Sequence, residues 1–255
     1  MRRLLFVLMA ILVTASALAE VDRTLYTREN RFPDLYRPEL NLIYNYTELG
    51  NDNRIIPKND ADIETYSLMG RVQVLPDLTI NADLPYKRYT SDTSSDHSGL
   101  GDITVGASLL AYEHILDYPF VIPHVDHTFD TGDEDENLGA GEEYTTIGIG
   151  IGTVTRDVLH WMLDLGYEIR DKSDNAVVIG GSLVWDLDER FSVLAETQYR
   201  QAPDHAPNAD SYGILYTGGM VYQANDVLTF SAYGTGAAKN TDEDVGVTLR
   251  ATISF

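Results

Sequence analysis

The sequence predicts an all-β protein: a transmembrane, antiparallel, up-and-down β-barrel of about twelve strands. Three observations predict it. Apolar and polar residues alternate with a period of two through most of the chain, the pattern of strands with one apolar and one wet face. The gaps between these segments run short, then long, in turn. On the apolar face, aromatic residues gather at both ends of the segments, as they do where a barrel wall meets the two surfaces of a bilayer.

The first element lies outside the fold. MRRLLFVLMAILVTASALAE carries Arg2 and Arg3, a short apolar run from Leu4 to Val13, and Ala17-Leu18-Ala19 before Glu20. This is the layout of a cleaved signal peptide, predicted over residues 1–19. The apolar run is too short to cross about 30 Å of hydrocarbon as a helix. Removing it moves the net charge from −22 to −24, which excludes nucleic acid as a partner, because phosphate binding needs basic clusters. There is no cysteine, so disulfides take no part in stability. Residues 20–38, EVDRTLYTRENRFPDLYRP, fit no strand. They are expected either to hang in the periplasm or to lie in the lumen as a plug.

The barrel proper is expected over residues 39–255. Strands are predicted at 39–47, 63–75, 78–88, 102–112, 119–129, 144–154, 158–170, 176–186, 191–201, 211–223, 227–236 and 245–255. In LHWMLDLGYEIR, Leu159, Trp161, Leu163, Leu165, Tyr167 and Ile169 share one face, and His160, Asp164, Glu168 and Arg170 the other. Leu78, Ile80, Ala82, Leu84 and Tyr86 likewise oppose Thr79, Asn81, Asp83 and Lys87. A soluble sandwich can alternate in the same way. The gaps discriminate: 76–77, 113–118, 155–157, 187–190 and 224–226 are short, and the intervening ones longer almost without exception. That is the habit of outer-membrane barrels, with short periplasmic turns and longer extracellular loops.

The last strand, VGVTLRATISF, alternates to the final residue, Phe255. In a closed barrel it pairs with the first strand, leaving no edge. A terminal strand ending in Phe resembles those of bacterial outer-membrane proteins, and the resemblance implies recognition by the barrel assembly machinery. On the apolar face, Trp161, Trp185, Phe191, Tyr222 and Phe255 fall at the short-turn end, and Tyr46, Tyr66, Tyr86, Tyr167, Tyr199 and Tyr212 at the long-loop end. From Phe191 to Tyr199 the tilted rise is roughly 21 Å, close to the apolar band of such barrels. These two girdles imply contact with outer-membrane lipid and lipopolysaccharide.

Arg71, Asp83, Lys87, Asp102, Asp126, His160, Asp164, Glu168, Arg170, Asp186, Glu196, Arg200 and Arg250 fall on the inward face. Charges there must meet water or one another. The lining therefore reads either as a pore for a small-molecule solute or as a lumen closed by salt bridges. Acidic residues at 130, 133–136, 142 and 143 cluster in one loop. Asp133, Asp135 and Asn137 have a calcium-loop spacing, but Leu138 stands where the loop glycine belongs and position 144 is not Glu. Whether the loop holds a metal is left open, and no cofactor is expected. An outer-membrane hydrolase is the weakest reading, because Asp126 and His127 point to opposite faces and Ser98 beside His97 has no located base.

SGLGDITVGASLLAYEH at 98–114 and TFDTGDEDENLGAGEEYTTIGIGIGT at 128–153 resemble the outer-membrane proteins of the MetA-pathway phenol degradation family. The matching positions are Gly99, Leu100, Gly101 and Asp102, then Thr131, Gly132 and Asp133, with Gly139 and Gly141 after them. Asp130 stands where the family usually has proline. The resemblance implies an outer-membrane β-barrel and a transporter with no catalytic residue, often encoded beside enzymes that degrade aromatic or hydrophobic compounds. With the acidic charge balance disfavouring anions, the expected function is passive passage of small neutral, cationic or hydrophobic solutes. The alternative is a closed structural or surface-interaction barrel with ion-binding acidic loops.

Overall fold

A computed structural model describes residues 21–29, 31–49, 61–91, 95–112, 119–201, 212–239 and 243–255. The predicted signal peptide lies outside them, as do His114 and His205. The strands are β1 (Pro38–Leu49), β2 (Ala61–Leu75), β3 (Leu78–Ser91), β4 (His97–Leu100), β5 (Thr104–Leu109), β6 (Phe120–Thr128), β7 (Tyr144–Thr155), β8 (Leu159–Arg170), β9 (Ala176–Asp186), β10 (Phe191–Gln201), β11 (Tyr212–Gln223), β12 (Leu228–Lys239) and β13 (Glu243–Ser254). Each pairs antiparallel with its neighbours in sequence, except that β4 and β5 do not pair with each other. β1 pairs with both β2 and β13, from Glu39↔Ser254 to Leu49↔Glu243, which closes the sheet. β4 and β5 are two halves of one stave, both on β3. Thirteen segments therefore make a closed barrel of twelve staves.

The burial pattern is inverted relative to a protein in water. Leu163, Ile147 and Leu249 are 44–53% exposed, while Asp164, Glu168 and Arg250 are 5–9% exposed. The apolar side of each strand faces outward and the polar side faces the lumen. Only a hydrocarbon solvent outside makes that arrangement favourable, and closure then pairs the first strand with the last.

The strand boundaries differ from expectation in an informative way. The fourth stave, predicted at 102–112, begins at His97 and breaks at residues 101–103. Gly99 pairs with Lys87 and so belongs to the ladder despite its turn-like sequence. Asp102 leaves the ladder because its carboxylate is used elsewhere. Several strands also run past their apolar stretch, β3 to Ser91 and β12 to Lys239, since ladder hydrogen bonds continue wherever the partner strand does. The alternation of gap lengths is accordingly weaker than the sequence suggested. Residues 240–242 alone separate β12 from β13, while 110–119 separate β5 from β6.

The short turns have local causes. Arg156 and Asp157 both have positive φ (56° and 57°), the geometry of a two-residue hairpin turn that suits the strand twist. Asp77 has φ 68° after Pro76, as the third residue of a type II turn requires.

The fold makes a quantitative prediction. Leu163→Arg, at mid-wall on the outer face, should cost about 2–4 kcal/mol of unfolding free energy in liposomes, and Glu48→Arg at the strand end about 0–1 kcal/mol. Urea titration of the two variants checks the difference.

Candidate functional site

The inner face of β7 sets how much room the lumen has. In YTTIGIGIGT the isoleucines face outward and Gly148, Gly150 and Gly152 face inward. A Cβ at Gly148 would strike the His124 ring, and one at Gly152 the ring of Phe120. A Cβ at Gly150 would lie 3.5 Å from Cβ of Arg28. That last neighbour belongs to the segment preceding the first strand.

Residues 21–29 and 31–33 are buried or half-buried against the inner wall, and 34–37 are exposed. Arg23, Thr24, Thr27 and Glu29 are among its most buried polar residues, at 3–4% exposed. The Arg23 guanidinium donates to Glu29 (2.7 Å), to Asp186 at the end of β9 and to Ser192 Oγ of β10 (3.0 Å). The Leu25 and Tyr26 N–H groups donate to the Glu196 carboxylate (2.8 and 3.2 Å). Thr27 Oγ1 lies 2.6 Å from Ser182 Oγ. Arg28 donates to Asp126 and to Ser108 Oγ (3.3 Å). Arg250 of β13 donates to the carbonyls of Asp22 (2.8 Å) and Thr24 (3.4 Å). Tyr233 Oη donates to the Arg23 carbonyl (2.7 Å) and accepts from Arg250. The chain then returns toward the short turns, where Arg71 donates to the Arg31 carbonyl and the Tyr36 N–H donates to the Gln73 carbonyl.

Beneath this polar network lies an apolar floor. Phe120 and Ile122 of β6, Met162 of β8, Val184 of β9, Leu194 of β10, Val221 of β11 and Tyr233 of β12 form one buried cluster on the inner wall. Leu25 and Phe32 of the segment pack against it, with Leu110. A cavity of about 410 Å³ lies on one side of the segment, lined by Asp22 and residues 24–28 together with Arg71, Asp83, Asp126, Asp164, Glu168 and Arg250. A second cavity, of about 520 Å³, lies toward the short turns, between Arg23, Arg31, Asp186 and Arg190.

Most of the charged residues expected to line the lumen have partners in it. Arg71 pairs with Glu39 (3.3 Å), and Asp126 with Arg28. His124 bridges Asp126 (3.3 Å) and Asp164 (3.1 Å), and His160 meets Asp186 (2.8 Å). Glu168 binds both Arg170 (2.7 Å) and Arg200 (2.9 Å). Asp83 accepts a long bond from Ser67, at 3.5 Å. Lys87 extends its stem over Gly101.

Asp102 sits apart from this lining. Its carboxylate accepts N–H bonds from Thr131 (3.2 Å), Gly132 (2.9 Å) and Ala140 (2.6 Å). The Thr131 hydroxyl donates to the Gly101 carbonyl and accepts from the Ile103 N–H. The two glycine-rich motifs are therefore the two halves of one latch, which docks loop 129–143 on the broken stave. Leu138 of that loop is buried with Leu49, Ala61 and Tyr89 at the long-loop end of the lumen. Asp133 caps the Asp135 N–H at 3.0 Å. Among the described residues no group of three His, Asp or Glu side chains converges as a metal site would.

Geometry also bears on the hydrolase reading. Asp186 stands between Ser192 (2.6 Å) and His160 (2.8 Å). A serine nucleophile needs the histidine itself beside its hydroxyl, and here the acid occupies that place.

Of the tyrosines expected in the long-loop girdle, Tyr46, Tyr66, Tyr86, Tyr167 and Tyr199 lie on the outer wall. Tyr46 Oη donates to Asp62 (2.9 Å), and Tyr66 lies opposite both Tyr44 and Tyr86. At the other end Trp161, Trp185 and Tyr222 are half exposed, and Phe191 faces Tyr222 across the ladder. The side chain of Tyr212 lies outside the described residues.

A family model described as "Putative MetA-pathway of phenol degradation" matches residues 58–251. The chain belongs to that family. No curated protein matches the chain in sequence. Among solved structures, the fold is similar to an outer membrane channel from Pseudomonas putida F1, with a TM-score of 0.76 and 14% identity, over 92% of this chain and 100% of that one. It is also similar to the KdgM porin, with a TM-score of 0.56 and 10% identity, over 85% and 99% of the two chains. The toluene transporter TbuX of Ralstonia pickettii follows, with a TM-score of 0.50 and 9% identity, over 87% and 90%. Membership of the MetA-pathway phenol degradation family and these likenesses agree on the closed barrel.

Sequence reasoning missed Arg23, Arg28 and Glu29, the segment's own charges, and the apolar floor. The floor left a signal: Ile122, Met162, Val184, Leu194 and Val221 are apolar residues on the face that is otherwise polar.

Glu142 ties the two neighbouring loops. It accepts from Arg170 (2.8 Å), from the Lys172 and Ser173 N–H groups (3.0 and 2.9 Å) and from the Ser173 hydroxyl. Burial opposes its ionisation, but the Ser173, Lys172 and Arg170 donors outweigh that and hold the carboxyl at about 2, below the ordinary 4.5. Because the folded value is the lower one, the tie is complete above about pH 4.5 and is lost as pH falls toward about 2. The amide chemical shifts of Lys172 and Ser173 should titrate in that window, and Glu142→Gln should abolish the titration.

Proposed function

We propose that this protein is an outer-membrane channel for passive passage of small neutral, cationic or hydrophobic solutes, and that residues 21–37 are its plug. The observation that carries the reading is the lumen itself: a closed wall encloses one cavity of about 410 Å³ and another of about 520 Å³, with residues 21–28 and Arg31 at the boundary between them. A barrel built only for support would have no need of two such spaces. Shifting the segment joins them into a path through the lumen.

The electrostatics support the solute class. Five acids, Asp22, Asp83, Asp126, Asp164 and Glu168, line the larger-loop cavity against three arginines, Arg28, Arg71 and Arg250. That balance favours cations over anions. Family membership supports a hydrophobic or aromatic cargo, and the similar structures include proteins described as channel, porin and toluene transporter.

The remaining parts follow from this reading. Residues 1–19 direct export and are removed. The short turns face the periplasm. The two aromatic girdles sit at the lipid and lipopolysaccharide interfaces, and the terminal strand is read by the barrel assembly machinery. The channel performs no chemistry on its cargo.

The chain has no cysteine, so a pair can be introduced cleanly. Thr27 and Ser182 have hydroxyls 2.6 Å apart, which suits a disulfide between Thr27→Cys and Ser182→Cys. In a planar bilayer the oxidised variant should be silent and the reduced one should show cation-preferring steps. Steps in the oxidised form contradict the plug. Silence in both forms of a folded, inserted preparation favours the closed structural barrel instead.

A further inference from the structure

We propose that the apolar floor beneath residues 21–37 is the binding site for an apolar solute, and that Leu25 and Phe32 are built-in stand-ins which that solute displaces. The proposal rests on the channel reading and adds to it a site and a trigger.

The lumen of an open channel is wet, and its wall is expected to be polar. Here Phe120, Ile122, Met162, Val184, Leu194 and Val221, from five strands, turn apolar side chains inward at one level. Ile122 and Val184 are wholly buried. Such a patch inside a polar tube is stable only under an apolar cover, and the segment supplies one with two side chains, Leu25 and Phe32. The rest of the segment's hold on the wall is polar. Among the described residues its backbone enters a wall ladder through the one bridge from Leu35 to Gln73. The Leu25 and Tyr26 amides, the Thr27 hydroxyl and the Arg23 and Arg28 guanidiniums meet groups that water can serve equally well once the segment moves.

The floor therefore discriminates by chemistry. A polar solute gains nothing there and leaves Leu25 and Phe32 in place. A solute the size of a benzene ring presents the same surface as the Phe32 ring and competes for it. Room exists on both sides, since the cavities of about 410 and 520 Å³ each exceed the roughly 150 Å³ that a benzene-sized guest occupies. A ligand that binds only where the segment is displaced shifts the equilibrium toward the displaced state. The solute thus opens its own channel.

The test uses the full chain in lipid vesicles with Thr27→Cys as its single cysteine. Thr27 is buried against Ser182, so a charged thiol reagent should label it slowly. Benzene should raise the labelling rate saturably, by roughly tenfold or more, and sucrose should leave it unchanged. Phe32→Ala, or Leu25→Ala should the first not fold, should raise the rate without benzene and flatten the response. Leu163→Ala on the outer wall should keep the full response. Labelling that ignores benzene, in a preparation whose reduced lock variant conducts, overturns the proposal and leaves the channel reading intact. An unsaturable rise, matched at a cysteine in place of Leu163, means a disturbed bilayer and also overturns it. A silent reduced lock variant is the separate failure of the channel reading.

Discussion

The ladder between β1 and β13 is the contact on which everything else depends. From Glu39↔Ser254 to Leu49↔Glu243 it pairs the first strand with the last. Without it the sheet has two edges, and in hydrocarbon each unpaired amide is a cost that no water relieves. With it the chain acquires a continuous wall and an inside. Alternation then assigns every residue a solvent: outward side chains meet lipid and inward ones meet the lumen.

An inside lined with charges creates its own demand. Asp126, Asp186 and Glu196 would each need water, a cation or a hydrogen-bond donor in a narrow tube. The segment preceding β1 meets that demand with Arg28, Arg23 and two backbone amides. It also covers the apolar floor. The segment is held by many separate polar contacts more than by strand pairing, as the proposed plug requires. The latch of Asp102 with Thr131, Gly132 and Ala140 is of a different kind: it completes the broken fourth stave and carries loop 129–143 over the mouth.

The wall was legible in the sequence because its period is local. Leu159 to Ile169 reads as a membrane strand without knowledge of any neighbour. The break at 101–103 was not legible, because it depends on a carboxylate reaching a loop some 30 residues away. Alternation put Arg71, Asp126, Asp164 and Glu168 on one face of the wall, but their partners were not legible. Arg23 and Asp186 are 163 positions apart, and nothing in either stretch announces the other. For the same reason residues 20–38 gave no preference between plug and periplasm. The floor is the exception: Ile122, Met162, Val184, Leu194 and Val221 break the polar rule of the inner face, a local signal of something apolar inside.

The central claim is that the N-terminal segment occupies the lumen, and amide hydrogen exchange tests it most directly. In the folded, membrane-inserted chain the Leu25 and Tyr26 amides, which donate to the Glu196 carboxylate, should exchange far more slowly than in an unstructured peptide of the same sequence. Exchange at the peptide's rate would place the segment in open water and contradict the account.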